Sequence, residues 1–309
     1  MQVVSVINYK GGVGKTTLTA NLGAYLAQRG QRVLLIDLDP QSSLTFSFFA
    51  PDSVNRPRWT LKEWFDGFVD GVPQRRLSEF VSVPTDVNDA VASRGGFVGL
   101  IPSSLYLIDV DTALLIEAGR QNLRSDVQVL RVRQSILEGL RDPALGSYDF
   151  VLIDCPPNFN IITQSGVVAS DRILVPASPD YLSTLGTGRL IARIDQFASE
   201  FNEQAHEYGS RHVIAPSPLG IVFTKTEYRL GHPIAAHQYY MELTRKSAGD
   251  VPIFAHALRY NAAFGKENPN GVPVILRLKP TDKVYVEMMA MATEFLTRMQ
   301  GPMKKRAVA

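Results

Sequence analysis

Short runs of β-branched and other apolar residues alternate along the chain with longer stretches in which apolar residues recur every three or four positions. The short runs predict buried strands and the longer stretches predict helices. The predicted strands cover 3–7, 32–39, 97–102, 148–157, 172–178 and 219–225. The predicted helices cover 15–29, 104–115, 126–140, 183–202, 233–246 and 281–299. This alternation is typical of an α/β fold, a mostly parallel twisted sheet flanked by helices on both faces.

The segment 50–96 interrupts this alternation. It contains four prolines, Pro51, Pro57, Pro73 and Pro84. Its helix signal is TLKEWF, where Thr60 and Glu63 have the spacing of a capping box. We therefore predict a single domain over 1–300 with an insertion at 50–96 on the edge of the sheet, followed by a short basic tail at 301–309.

Composition narrows the class of protein. A chain of 309 residues with 45% hydrophobic residues can bury a large core, and its formal charge of +2 gives little overall attraction to a polyanion. Cys155 is the chain's single cysteine, which excludes a disulfide within the chain and a four-cysteine cluster. It follows a buried strand without a basic neighbour, so we interpret it as a core residue. We see no signal peptide and no apolar run long enough to span a membrane, and we expect a cytoplasmic protein.

A glycine-rich loop follows the first predicted strand. The stretch from Lys10 to Thr17 reads KGGVGKTT and leads directly into the first predicted helix. Glycines let successive backbone N–H groups turn toward an anion, and the helix adds the positive end of its dipole. The loop therefore predicts a phosphate cradle formed by Gly11, Gly12, Val13 and Gly14.

Side chains in the loop and at the start of the helix suggest separate roles. We expect Lys15 to reach the β- and γ-phosphate oxygens, Thr16 to place its hydroxyl on Mg²⁺, and Thr17 to bond the α-phosphate. The loop departs from the usual pattern G-x-x-x-x-G-K-[ST] at its first glycine. Tyr9 stands in that place, and a second lysine, Lys10, follows it.

Aspartates stand at the ends of two other predicted strands. DLDPQ places Asp37 and Asp39 at the end of the second strand, and FVLIDCPP places Asp154 at the end of the fourth. Residues two apart in a strand point to the same side, so Asp37 and Asp39 can both face the nucleotide. Asp154 is the type of residue that holds a magnesium-bound water. The three strand ends together predict a magnesium-dependent nucleotide site.

The motifs KGGVGKTT, DLDPQ and DCPP, in this order, resemble those of the ParA/MinD group of deviant-Walker P-loop ATPases, and RILVPASPDYLSTLG resembles the ParA branch. The resemblance implies an ATPase that uses ATP and Mg²⁺ and forms a homodimer around two ATP molecules. It implies that Lys10 reaches the phosphates of the other subunit and that Asp39 positions or activates the attacking water. Asp37 would then belong to the magnesium shell.

The resemblance also implies adenine contacts and partners. The adenine contacts would fall at Thr224 and Lys225 and around Arg259 to Asn261. ParA-like proteins bind DNA without sequence preference, and 211–266 holds seven Lys/Arg against three acidic residues. The candidate DNA contacts are Arg229, Arg259 and Lys266. A ParB-like or other partner would stimulate hydrolysis, and the protein would associate with the nucleoid.

Two other functions remain open from the sequence. A MinD-like protein would associate with the membrane, whereas the apolar positions of 281–299 are spaced for packing against the domain, so we do not expect a membrane partner. A metabolic or assembly ATPase, such as an iron–sulfur scaffold or a carboxyl-activating ligase, is the second alternative. The lone Cys155 speaks against the scaffold, and the lack of a recognisable second substrate motif speaks against the ligase.

Overall fold

A parallel sheet forms the centre of the molecule. The computed structural model describes residues 1–50, 57–69, 75–118, 123–265 and 271–301. The strands of the sheet are β1 (Gln2–Val6), β2 (Arg32–Asp37), β3 (Phe97–Ile101), β4 (Phe150–Asp154), β5 (Arg172–Ala177) and β6 (Ser217–Phe223). Within the described residues these six strands lie in the order β3-β2-β4-β1-β5-β6, and each neighbouring pair is parallel.

Helices cover the two faces of the sheet. They are α1 (Lys15–Gln28), α2 (Ser43–Phe48), α3 (Leu61–Val69), α4 (Thr85–Val91), α5 (Leu107–Ala118), α6 (Leu123–Gly139), α7 (Ile161–Ala169), α8 (Tyr181–Glu207), α9 (Ala235–Ser247) and α10 (Lys283–Met299). A small antiparallel hairpin, β7 (Tyr228–Arg229) and β8 (His232–Pro233), lies outside the main sheet. The predicted α/β fold with a parallel sheet is confirmed.

The core is divided into two layers by the sheet. Leu34 and Ile36 of β2 join one layer with apolar side chains of α3 and α5 to α8, while Val33 and Leu35 join the other with α1, α4 and α10. Because both faces are covered, the strands are apolar at nearly every position rather than at alternate ones. This explains why the strands were easy to recognise in the sequence.

Elements that the sequence analysis missed are short or lack a helical period. Every residue of α7 is buried, so its sequence IITQSGVVA has no polar face and resembles a strand. α2 and α4 are short, and the hairpin strands have two residues each. The helices that were predicted all form, with ends shifted by a few residues.

The described parts of 50–96 pack on both core layers. Trp64 and Phe65 of α3 are buried in one layer, and Val87 and Val91 of α4 are buried in the other. Glu63 accepts the backbone N–H of Thr60 at 2.8 Å, which is half of the predicted capping box. The segment therefore wraps the edge of the sheet that β3 forms. The domain boundaries themselves stay a prediction, and the tail at 302–309 lies outside the described residues.

The strand order also places the site. β1 lies between β4 and β5, and the chain passes from β1 to β2 on one side while β5 and β6 lie on the other. Ligands in open parallel sheets bind at the carboxyl ends of the strands, where the order of the strands reverses. The loop after β1 occupies this position.

Candidate functional site

The loop between β1 and α1 forms an open cradle. Gly12 and Gly14 have φ angles of 72° and 84°, which glycine adopts without strain. Among the described residues, no side chain caps α1 at Gly14, and a Cβ built on Gly11 or Gly12 meets no atom within 4 Å. The first backbone N–H groups of α1 are therefore available to an anion in front of the loop.

Lys15 points back into this cradle. Its side chain is buried, with the residue 6% exposed, and its Nζ donates to the carbonyl of Lys10 at 3.2 Å. Burial lowers the pKa of Lys15, while the carboxylates of Asp154 and Asp39 oppose that shift. The ammonium thus lies at the cradle, and its predicted contact with phosphate oxygens stays a prediction.

Asp154 links the end of β4 to the start of α1. Its Oδ2 accepts from Thr16 Oγ1 at 2.7 Å and its Oδ1 accepts from Thr19 Oγ1 at 3.2 Å. Burial raises the pKa of Asp154 to about 7. Mg²⁺ prefers oxygen ligands such as the Thr16 hydroxyl and phosphate oxygens, and it keeps several waters. Among the described residues, no group of three His, Cys, Asp or Glu side chains could hold a metal ion. A magnesium ion at this place would therefore need phosphate oxygens and waters as ligands as well.

Asp37 and Asp39 differ in their surroundings. Asp37 is fully buried, its Oδ2 accepts the backbone N–H and hydroxyl of Thr45 at 2.8 and 2.7 Å, and its Oδ1 accepts the N–H of Asp39 at 3.2 Å. Burial raises the pKa of Asp37 to about 8, and the nearby Asp154 adds to this. Asp39 is partly exposed, its Oδ1 accepts the N–H of Gln41 at 2.9 Å, and its charge raises the pKa of Lys15. Asp37 therefore orients the turn that carries Asp39, and its magnesium role stays a prediction.

Tyr9 and Lys10 face away from the cradle. The Tyr9 ring packs edge-on against Phe159, with centroids 6.2 Å apart, at the margin of one core layer. Lys10 Nζ forms an ion pair with Asp180 Oδ2 at 2.6 Å, and the two side chains are 33% and 38% exposed. The residue that replaces the usual glycine is thus a packing residue, and the second lysine does not reach into its own cradle.

Asp180 is a site residue that the sequence analysis missed. It caps α8, accepting the N–H of Ser183 at 3.0 Å, and it also accepts from Ser178 Oγ at 2.5 Å. Burial by itself would raise the pKa of Asp180, but the bonds from Lys10 and Ser178 lower it to about 2. The Asp-x-x-Ser spacing of Asp180 and Ser183 at the start of a predicted helix indicates the helix cap. The same spacing does not indicate the ion pair of Asp180 with Lys10.

A cavity of about 470 Å³ opens beside the cradle. Thr224 and Lys225 after β6 line it together with Asn261, so the predicted adenine contacts lie in one pocket. Thr224 Oγ1 donates to the carbonyl of Val13 at 2.6 Å and so joins this pocket to the phosphate loop. Lining residues that the sequence analysis did not name include Leu258, Phe264 and Met288.

The candidate DNA contacts have different environments. Arg229 is exposed on the hairpin. Arg259 lines the pocket and is ion-paired with Glu287 at 2.5 Å, a position that does not favour its predicted DNA role. Lys266 lies outside the described residues. Cys155 is fully buried and burial raises its pKa to about 12, which confirms its interpretation as a core residue.

The fold and the loop define the class of protein, an α/β P-loop protein with a phosphate cradle at the end of β1. A family model described as an AAA domain matches residues 1–206. The chromosome partitioning protein ParA of Caulobacter vibrioides is 32% identical over 212 residues, which are 68% of this chain and 68% of that protein. The chain therefore belongs to the ParA/MinD family of P-loop ATPases.

Two further matches show how far the resemblance extends. An uncharacterized protein of Mycobacterium tuberculosis is 30% identical over 207 residues, and the chain spans about half of its length, 54%. A crystal structure of cobyrinic acid a,c-diamide synthase from Mycobacterium smegmatis, with bound ATP analog and magnesium, has a TM-score of 0.69 and 23% identity. It covers 97% of this chain, while this chain covers 96% of it, and the likeness shows the fold alone. No helix in the described ranges could cross a membrane.

Proposed function

We propose that this chain is an ATPase of the ParA type, which hydrolyses ATP to ADP and phosphate with Mg²⁺. In this proposal it dimerises around two ATP molecules, binds DNA without sequence preference, and positions a plasmid, a chromosome or a protein assembly. A ParB-like or other partner stimulates hydrolysis, which releases the dimer from the nucleoid. The protein itself is cytoplasmic in this proposal. The observation that carries the proposal is the pair of lysines in one loop. Lys15 is buried and points into the cradle, whereas Lys10 is partly exposed and points out of it, to Asp180.

The donors around the cradle fit a magnesium nucleotide. Lys15 and the first N–H groups of α1 would hold the phosphates, and Thr16 would place its hydroxyl on Mg²⁺. Asp154, which already holds the Thr16 hydroxyl, would orient a magnesium-bound water. Asp39, partly exposed next to Lys15, would position the attacking water. When bound, the metal ion would neutralise negative charge on the phosphate oxygens, and these side chains would orient the groups around it.

Dimerisation would give Lys10 its role. Its Nζ would leave Asp180 and meet the phosphates bound by the second subunit, where it would neutralise charge that develops on the transferred group. Large exposed apolar side chains occur on the same edge of the sheet as the cradle, at Leu105 and Tyr106 after β3 and at Tyr181 and Leu182 after β5. Such side chains are typical of a surface that becomes covered by a partner.

DNA binding would rely on phosphate contacts. Arg211, Arg229, Arg245 and Lys246 are all exposed. Contacts from exposed Lys and Arg to phosphates give affinity without reading bases, and they weaken as salt is raised.

The test is DNA binding at one fixed salt concentration, measured with ATP, with ADP and without nucleotide. We expect the protein to bind DNA much more tightly with ATP than with ADP or without nucleotide. DNA fragments of unrelated sequence should be bound equally well. Equal affinity in all three nucleotide states would refute the proposal. Sedimentation with anionic vesicles in ATP, without DNA binding, would point instead to a membrane-associated positioning ATPase.

A second experiment tests the role of Lys10 across the dimer. Lys10→Ala should leave ATP affinity of the monomer close to that of the parent chain, because this side chain does not reach its own cradle. Stimulated ATP turnover should fall by about 100-fold or more, as when a charge-stabilising group is removed from a transition state. Unchanged stimulated turnover would contradict an action in trans.

A further inference from the structure

Glu287 on α10 holds the loop that forms one wall of the 470 Å³ pocket. Its Oε1 accepts from Arg259 Nε at 2.8 Å and from Arg259 Nη2 at 2.5 Å, and its Oε2 accepts the backbone N–H of Arg259 at 3.0 Å. The side chains of Arg259 and Glu287 are 25% and 17% exposed. Both carboxylate oxygens are thus used on one residue, and they fix its backbone as well as its side chain.

The same loop is held on its other side by the chain that continues β6. Leu258 N–H donates to the carbonyl of Phe223 at 2.8 Å, and Tyr260 N–H donates to that of Thr226 at 2.9 Å. The loop therefore lies between β6 and α10, and Glu287 provides the α10 side of this attachment. Glu287 does not line the pocket among the described residues, whereas Met288 beside it does.

We propose that Glu287 is a positioning residue for the nucleoside part of the ligand. By fixing Arg259 it sets the position of residues 258–261, which face the base and ribose rather than the phosphates. This proposal rests on the proposed function, in which the pocket receives the adenine of ATP. Glu287 then contributes to nucleotide affinity without touching the nucleotide, and it leaves the phosphate cradle unaffected.

The isosteric change Glu287→Gln tests this geometry. A glutamine keeps one acceptor oxygen, but its NH₂ group would face either the backbone N–H or the guanidinium of Arg259, both of which are donors. At least one charge-assisted bond is lost, and the loop is no longer fixed on the α10 side. We expect the Kd values of ATP and ADP to rise about tenfold, which corresponds to the loss of one such bond.

Glu294 on the same helix offers a matched control. It is 20% exposed, pairs with Arg298 Nη2 at 2.5 Å and accepts the backbone N–H of Ala255 at 2.9 Å. Glu294→Gln thus removes the same kind of pair, with a similar exposure, at a place outside the pocket lining among the described residues.

The experiment is calorimetric titration of the parent chain, Glu287→Gln and Glu294→Gln with ATP, ADP and tripolyphosphate. The proposal predicts weaker ATP and ADP binding in Glu287→Gln, with tripolyphosphate binding unchanged and Glu294→Gln like the parent. Equal weakening of ATP and tripolyphosphate, or unchanged ATP binding, would overturn it. If the parent itself binds ATP no tighter than tripolyphosphate, the pocket is no base site and the proposed function fails at that point as well.

Arg259→Gln keeps the proposal testable if Glu287→Gln does not fold. It removes the side-chain pair but leaves the carboxylate of Glu287 on the backbone N–H of residue 259, so ATP and ADP should bind more weakly while tripolyphosphate binding is unchanged. Where Glu287→Gln folds, the double variant should lose less ATP affinity than the product of the two single losses, because both changes break the same side-chain pair. Single losses that multiply in full would show that Glu287 acts independently of the Arg259 side chain, and positioning through this pair would be refuted.

Discussion

The proposed phosphate end and the proposed base end of the site are built in different ways. The phosphate end combines the loop after β1 with the ends of β2 and β4, and Lys15, Asp37 and Asp154 are buried there. The base end combines the end of β6, the loop 258–264 and α10, and Lys225 and Tyr260 are exposed there. One end is fixed by strand ends in a shared sheet, and the other by contacts between separate surface segments.

This difference predicts how each end responds to substitution. At the phosphate end, the buried Lys15, Asp37 and Asp154 influence one another electrostatically, so the loss of one group should change chemistry as well as binding. At the base end, single side chains hold a wall in place, so their loss changes affinity more than turnover.

The largest effect is expected from Asp39→Ala at the phosphate end. Loss of the group proposed to position the attacking water should lower ATP turnover by about 10²- to 10⁴-fold while ATP still binds. The ATP-bound dimer should then accumulate, which light scattering after gel filtration would detect. Asp195→Ala, a change at an exposed position of α8, serves as the control. Parent-like turnover of Asp39→Ala would remove Asp39 from the mechanism.

Alanine variants of two lysines, one at each end, allow the losses of ATP affinity to be compared directly. Lys15→Ala removes a buried ammonium from the cradle, and we expect ATP affinity to fall about 100-fold, as for a charged hydrogen-bonding group. Lys225→Ala changes an exposed residue at the mouth of the pocket and should lower ATP affinity less than about threefold, within the range of exposed charges. Equal losses in the two variants, measured by titration with ATP, would show that the two ends do not differ in this way.

The phosphate end was predictable from the sequence because its residues lie within motifs. KGGVGKTT, DLDPQ and DCPP each contain both the strand end and the side chains that the strand carries, so Lys15 and Asp154 could be placed together before the structure was known. In the structure Asp37 and Asp154 are direct partners on β2 and β4, and Asp154 accepts from Thr16, the residue after Lys15.

The base end was less predictable, because its contacts join residues that are distant in the chain. Thr224 and Asn261 were expected only by resemblance, and nothing near Glu287 in VYVEMM indicates that its partner is Arg259, 28 residues earlier. The ion pair of Lys10 with Asp180, 170 residues apart, escaped for the same reason. Such contacts depend on how the elements pack, which a local pattern does not contain.

Thr224→Val tests the bond that joins the two ends. The change deletes the Thr224 Oγ1 bond to Val13 and leaves a buried carbonyl without it, which should cost about 1–2 kcal/mol of the free energy of unfolding. ATP and tripolyphosphate should both bind less tightly, by up to about tenfold, because the phosphate loop itself loses support. Titration with both ligands would distinguish this result from that of Glu287→Gln, where tripolyphosphate binding is unchanged.

Thr226→Val is the matched control for that change. The Thr226 hydroxyl is buried without a hydrogen-bond partner in the described part of the chain. Its replacement by a methyl group should therefore be neutral or stabilising in urea unfolding, with ATP affinity unchanged. A loss as large as that of Thr224→Val would mean that the size of the side chain, and not the bond to Val13, matters at the end of β6.

Among the expected losses of stability, the smallest is that of Asp180→Asn, which removes the charge that holds Lys10 but keeps an oxygen to cap α8. The pair is about one third exposed, so solvent screening limits the loss to under about 1 kcal/mol of the free energy of unfolding at pH 7. The pKa of Asp180 is lowered from 3.8 to about 2, so the folded state binds fewer protons than the unfolded state between these values. The stabilisation by the charge is therefore present above about pH 4 and is lost as the pH falls toward 2.

Urea unfolding at pH 7 and pH 3 tests this dependence, and Asp180→Asn should differ less from the parent at pH 3. Asp282→Asn, which changes the N-cap of α10, serves as the control. A loss well above 2 kcal/mol at pH 7 would show that the charge of Asp180 is a main support of α8 rather than a weak hold on Lys10.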